Sequence, residues 1–185
     1  MKRSDWGAET EESQNPQPEG LNIIKKYYLC RNDQNKKIMA YTQIIYHIVL
    51  RTKRSEQSIA QENVSSLYKY IWGIIKNKKG KLYRINGIED HIHILSDLHP
   101  SFALSDFVKS IKVATSLWMK QSADFPLFRG WEEGYAAFTY SYKEKEVLIR
   151  YIKNQQNHHQ KEDTHNELKR LWKENGMEQD ERYFT

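Results

Sequence analysis

The segment EDHIHIL, residues Glu89 to Leu95, places His91 and His93 one residue apart. On a strand, successive side chains point to opposite faces, so both imidazoles project from one side while Ile92 and Ile94 enter a core on the other. Each imidazole then has two ring nitrogens to satisfy in a confined space. Two readings are open. Each histidine is hydrogen-bonded like an ordinary buried strand residue, or the pair chelates a metal, for which neutral imidazole is a common ligand. A chelating pair needs a third ligand from elsewhere in the chain.

Tyr151 and Gln155 offer a candidate. They are four residues apart in a helical pattern, so they share one face, one turn apart. Tyr151 could simply extend the packing stripe that Val147 and Leu148 begin. Gln155 fits such a stripe poorly, because a buried primary amide needs partners. If that helix crosses the histidine strand, Gln155 can give its amide oxygen to a metal and the Tyr151 phenol stands beside it. A metal so held polarises a phosphodiester, and a phenol can attack phosphorus to form a phosphotyrosyl intermediate. The chain has no Gly-rich phosphate loop, GxSxG elbow or HExxH, and Ser96 and Asp97 depart from an HxHxDH hydrolase pattern.

The elements that must position these residues follow from periodicity. AYTQIIYHIVL (40–50) is rich in β-branched and aromatic residues and reads as a strand. Val64, Leu67, Tyr68, Ile71 and Ile75 recur at helical spacing within a helix expected over about 57–77, with Gly80 just beyond it. KLYRINGI and HIHILSDL read as strands two and three around a GIED turn. Leu104, Phe107, Val108, Ile111, Leu117 and Trp118 define a second helix ending before Pro126. YAAFTYS is a fourth strand, and Ser141 with Glu144 forms a capping box opening a helix to about His159. HNELKRLWKENG is a further helix closed by Gly176. The order predicts an α+β fold: a four-stranded antiparallel or mixed sheet of ferredoxin-like (RRM-like) type, helices on one face, plus C-terminal helices.

The 185 residues suit one domain with a real core. Residues 1–38 lack periodicity and include QNPQPEG; they read as a disordered or non-native leader, with Met39 as the expected biological start and 39–185 as the domain. No apolar run approaches the roughly 18–20 residues of a membrane span, and the N-terminus has no signal-peptide core. The single cysteine, Cys30, excludes a disulfide framework. A cytoplasmic setting is expected. The net charge of +5 leans toward an anionic partner. KYIWGIIKNKKGKLYR (69–84) holds six basic and no acidic residues among Tyr70, Trp72 and Tyr83. Cations bind phosphates and rings stack on unpaired bases, although a solvated helix end and turn would look the same.

These residues carry a resemblance. EDHIHIL resembles the His-hydrophobic-His strand of the HUH single-tyrosine transposases, those of small insertion sequences and their REP-associated relatives. AYTQIIYHIVLRTK, LYKYIWGIIKNKKGKLYRINGIEDHIHIL, WEEGYAAFTYS and YIKNQQNHH follow in matching order from about Met39 onward. By matched position the resemblance implies that His91 and His93 bind the metal, that Gln155 is its third ligand and that Tyr151 is the nucleophile. It further implies Mg²⁺ or Mn²⁺, single-stranded DNA with subterminal hairpins as substrate, a 5′-phosphotyrosyl link with release of a 3′-OH, and a homodimer whose tyrosine helix can complete the partner's site. Lys76, Lys78, Lys79, Lys81, Arg84, Lys109 and Lys112 are the candidate DNA contacts. His158 and His159, one turn past Gln155, either approach phosphate or metal or form a solvated or helix-C-terminus-compensating pair, the second being the default reading. The alternatives are a replication- or relaxase-type HUH nickase and a non-catalytic hairpin-binding dimer.

Overall fold

The computed structural model describes residues 42–159 and 162–178. The expected leader and the Met39 start lie outside the described residues. Four strands, β1 (Ile45–Arg51), β2 (Leu82–Gly87), β3 (His91–Asp97) and β4 (Ala136–Tyr140), form one sheet in the order β2-β3-β1-β4. Every adjacent pair is antiparallel, which resolves the expected sheet. The helices are α1 (Val64–Asn77), α2 (Leu104–Gln121), α3 (Lys145–Lys153), α4 (Gln155–His158) and α5 (Thr164–Glu174). None of the described helices is long and apolar enough to cross a membrane.

α1 and α2 pack on one face. Leu67, Ile71 and Ile75 from α1 and Phe107, Val108 and Ile111 from α2 meet Ile48, Leu50, Ile92 and Ile94 from the two central strands. Each such fully buried side chain contributes roughly 1.5–3 kcal/mol. The expectation of helices on one face is corrected by the other side of the sheet. There Ile45 and Leu95 pack against Leu148 and Ile152 of α3. Val49, Ala136 and Phe138 pack against Leu168, Leu171 and Trp172 of α5. The central strands are therefore buried on both faces, and the histidines lie beneath the C-terminal helices.

Three element boundaries differ from expectation for local reasons. β1 begins at Ile45, so Thr42–Ile44 are not strand. α1 begins only at Val64 because the Ser58 and Ile59 amides both donate to the Glu89 carbonyl, each at 2.9 Å, pinning that segment to the β2–β3 turn. The expected helix to His159 is broken at Asn154 into α3 and α4. It opens through a 3-10 turn, Tyr142–Glu144, where the Ser141–Glu144 capping box is present. At its other end the Asn86 amide on β2 donates to the Ile152 and Lys153 carbonyls at 3.0 and 3.1 Å, tying the tyrosine helix to the sheet.

The turn before β3 is tight. A Cβ on Gly87 would stand 2.2 Å from the His91 carbonyl oxygen and 2.7 Å from Ile92 Cα. Glycine permits this close approach, and the Ile88 amide closes the turn on the His91 carbonyl at 3.0 Å. The geometry of the hairpin thus sets where His91 stands.

Candidate active site

Register determines which side chains meet. Val49 is paired with His93 and Arg51 with His91, while His47 lies two residues before Val49 on the same face of β1. His47, His91 and His93 are all fully buried. α3 and α4 lie over them with Tyr151 and Gln155, and α5 adds Thr164, Glu167 and Arg170. The four residues expected from sequence to act together do come together: the Tyr151 ring centroid is 6.0 Å from that of His93, and Gln155 is fully buried beside them. The nucleophile candidate and the histidines belong to the same chain.

The imidazoles are oriented by partners behind them. His91 Nδ1 faces Asp90 Oδ1 at 2.6 Å and Thr164 Oγ1 at 3.3 Å, while Thr164 donates to the other Asp90 oxygen at 2.8 Å. His93 Nδ1 meets His47 Nε2 at 2.8 Å. With the protons on both Nδ1 atoms, the two Nε2 lone pairs face each other across 2.9 Å. Two converging acceptors require a cation between or beside them, either a proton or a metal. Orientation of a ligating ring through its other nitrogen is the usual arrangement around a metal.

Glu167 closes the cluster. Its Oε2 lies 3.3 Å from His91 Nε2, 3.5 Å from His93 Nε2 and 3.0 Å from His159 Nε2. Its Oε1 accepts from Gln155 Nε2 at 2.9 Å and from the Tyr151 hydroxyl. Ligand atoms of His91, His93, His159 and Glu167 all fall within 4.8 Å of one another, a grouping able to hold a metal ion. Gln155 Oε1 is buried without a hydrogen-bond partner. A buried amide oxygen left so beside imidazoles and a carboxylate fits a metal ligand, so the residues present suit a divalent cation.

The electrostatics agree. Burial, reinforced by the neighbouring His91 and His159 and only partly countered by Glu167, pushes His93 down to about 4, so its ring is neutral at neutral pH. Burial and the nearby His93 hold His47 well below its ordinary value. Burial alone would lower His91 too, but its bonds to Asp90 and Glu167 outweigh it and raise the group. Glu167 is driven down despite burial, because His93, His159 and His91 favour its charged form. Tyr151 is raised by burial first and then by the Glu167 charge, so the resting phenol keeps its proton. Arg170 Nη2 donates to the same phenol oxygen at 3.2 Å while the guanidinium is held by Glu162 and Glu174.

Sequence reasoning missed Glu167, Asp90, His47, Thr164 and Arg170. One signal was available for Glu167. The buried stripe of α5 runs Thr164, Glu167, Leu168, Leu171, Trp172, and a carboxylate on an apolar face at helical spacing demands a partner. Of the two readings open for His159, the structure favours the approach to the cluster: its ring centroid lies 4.7 Å from that of His91; nothing is described of the His158 side chain. The candidate DNA contacts are not part of this cluster, although Lys81 and Arg84 belong to the same face of the sheet. Lys76, Lys78 and Lys109 belong to or adjoin α1 and α2 on the far face of the sheet. Lys76 sits over the Trp72 ring at 5.1 Å, Lys78 over Phe102 at 4.9 Å and Lys81 over Tyr83 at 5.4 Å. Lys79 is exposed with φ 58°. Arg84 on β2 pairs in register with Leu95. The Lys112 ammonium donates to the Glu132, Glu133 and Gly134 carbonyls at 2.5, 2.7 and 3.2 Å, which holds that loop.

Comparison with known proteins adds a family. Residues 40–155, more than half of the chain, match the model described as "Transposase IS200 like". No curated protein matches. Among solved structures, a Deinococcus radiodurans R1 protein provisionally called a transposase is similar at 26% identity, over 65% of this chain and 97% of that one, with a TM-score of 0.47. A REP-associated tyrosine transposase bound to a REP hairpin is similar at 13% identity, over 66% of this chain and 74% of that one, with a TM-score of 0.48. The family match ends at Gln155, so Glu167 and Arg170 stand outside it.

Proposed function

This chain belongs to the IS200-like transposase family, and we propose that it cleaves and rejoins single-stranded DNA at element ends through a 5′-phosphotyrosyl intermediate on Tyr151. The observation that carries this reading is the convergence of the Tyr151 hydroxyl, Gln155, His91 and His93 on one buried carboxylate, Glu167.

His91, His93 and Gln155, with Glu167 and His159 in reach, are the residues that would hold Mg²⁺ or Mn²⁺. Such an ion supplies Lewis-acid polarisation of the scissile phosphodiester. The chain's own groups do the rest. Asp90 and Thr164 fix the His91 ring and His47 fixes His93, so that lone pairs face the site. Arg170 and Glu167 orient the phenol oxygen of Tyr151, one as donor and one as acceptor. The phenol oxygen forms a bond to phosphorus, its proton passes to solvent or to the leaving O3′, and the phosphorus–O3′ bond breaks to give a free 3′-OH. Rejoining reverses the exchange with a second 3′-OH, and the tyrosyl ester keeps the bond energy meanwhile. DNA hairpins are the proposed recognition element. Because Tyr151 meets the histidines of its own chain, proximity does not require a partner's helix, and a homodimer would serve to hold two ends together.

The test uses single-stranded oligonucleotides tiled across the DNA flanking this protein's own gene, with Mn²⁺, and looks for a denaturation-resistant protein–DNA adduct. Wild type forms it, and Tyr151→Phe abolishes it while still binding DNA. An adduct that persists in Tyr151→Phe overturns the assignment. Cleavage without rejoining favours a nickase, and binding without any adduct favours a non-catalytic binder.

A further inference from the structure

A cavity of about 540 Å³ adjoins the histidine cluster at the C-terminal end of β1, and Arg51, Arg54, Ser55, Asp90, His159 and Thr164 are among its walls. Its size falls in the range of small-ligand sites, about 300–1,000 Å³. Asp90, which orients His91, and His159, which meets Glu167, belong to both the cluster and the cavity. The cavity is thus the flank of the candidate active site on the His91 side.

Its floor is built around two arginines. Arg51 stands directly opposite His91 in the β1–β3 register and is almost wholly buried. Its Nη1 donates to Ser55 Oγ at 3.2 Å. Arg54 and Ser55 follow with φ of 57° and 52°, two successive non-glycine residues in the left-handed region. That conformation is unfavourable and persists only when neighbours impose it. Here the Thr52 amide donates to the Asp90 carbonyl and its hydroxyl to the Glu56 carbonyl, the Lys53 amide donates to the Gly130 carbonyl, and the Arg54 amide donates to Glu132 Oε2.

The charges show which donors remain. Asp90 is engaged by His91 and Thr164, and Asp163 by the Asn166 amide and side chain. Glu132 accepts from the Arg54 and Glu133 amides. The Arg54 guanidinium makes no hydrogen bond among the described residues. On the other side of Tyr151 lies a cavity of about 260 Å³, whose walls include Glu144, Glu174, Val147 and Leu148. Its one cation, Arg170, is held by Glu162 and Glu174. Among the cations that line these two cavities, Arg54 is the one whose guanidinium makes no hydrogen bond among the described residues.

We propose that the 540 Å³ cavity seats the nucleotide next to the scissile phosphate, with Arg54 taking that nucleotide's backbone phosphate and the remaining polar walls facing its base. This rests on the strand-cleavage reading above. The arginine fork suits phosphate oxygens bidentately, and the strained turn fixes where the fork stands.

The experiment measures binding of the tiled single-stranded oligonucleotides to Tyr151→Phe protein, alone and combined with Arg54→Ala or Arg54→Lys. The tightest binder is then scanned with one methylphosphonate or one abasic site at a time. Arg54→Ala weakens binding about tenfold, Arg54→Lys restores part of it, and unfolding curves remain those of the parent. One methylphosphonate position costs the parent about tenfold and costs Arg54→Ala nothing further, and the abasic site beside it is the costliest in the unpaired segment. Equal sensitivity at every position in both proteins overturns the cavity assignment. Position-specific coupling without any adduct from wild type leaves the cavity standing and overturns the cleavage reading. Failure of every strand to bind overturns both.

Discussion

Glu167 is the side chain through which the site is coupled, since the nucleophile candidate, the amide and three imidazoles all meet its carboxylate. Such a cluster makes the metal-free protein sensitive to acid, and the sign follows from the shifts. His93 titrates at about 4 when folded and near 6.5 when unfolded, and His47 is lowered likewise. As pH falls from 6.5 toward 4 the unfolded chain takes up protons that the native state refuses, so stability declines. The His93 share is on the order of 3 kcal/mol. His91 works the other way: its raised pKa adds stability that is complete below 6.5 and is lost as pH rises through its folded value. Glu167 and Asp90, both lowered, add a further loss below about 4.5. Thermal midpoints measured in EDTA should therefore fall steadily from pH 6.5 to 4, and His93→Gln should flatten that slope. A midpoint that stays level through the window contradicts the buried neutral imidazoles.

At the scale of elements, the β2–β3 hairpin and the C-terminal helix place the site. Gly87→Ala would set a Cβ against the His91 carbonyl. The backbone must shift, and overpacking of this kind costs roughly 1–3 kcal/mol. Urea unfolding should show the loss, and Mn²⁺ affinity should fall with it because His91 moves. A variant with unchanged midpoint and affinity would mean that the turn is looser than described. α5 is secured at its start by Asp163, whose side chain accepts from the Asn166 amide at 2.8 Å. Asp163→Ala should cost about 1 kcal/mol and increase amide exchange over Thr164–Glu174, loosening the helix that carries Glu167. The elements show what sequence could and could not reveal. The one-residue spacing of His91 and His93 and the four-residue spacing of Tyr151 and Gln155 are local patterns that survive any packing. The Gln57–Asn63 segment reads as helix by pattern, yet the Ser58 and Ile59 amides are claimed by Glu89 across the fold. The break at Asn154 and the return of α5 over the histidines depend on tertiary contacts that no periodicity encodes.

For the whole molecule, the sheet divides the labour. One face carries the aliphatic core under α1 and α2. The other buries the histidines beneath α3, α4 and α5, where alternation in β3 looked like a strand with one open face. His91, His93 and Glu167 are all fully buried, so the proposed cleavage requires part of the C-terminal cover to move, and the cavity beside Arg54 marks the flank from which that proposal brings the strand in. The chemical identity of the nucleophile decides most directly between strand transfer and binding alone. The measurement is mass spectrometry of the peptide that retains a nucleotide after the protein–DNA adduct is digested. The prediction is a 5′-phosphate ester on Tyr151 within the α3 segment VLIRYIK. A nucleotide on Tyr140, Tyr142 or any other side chain would contradict it.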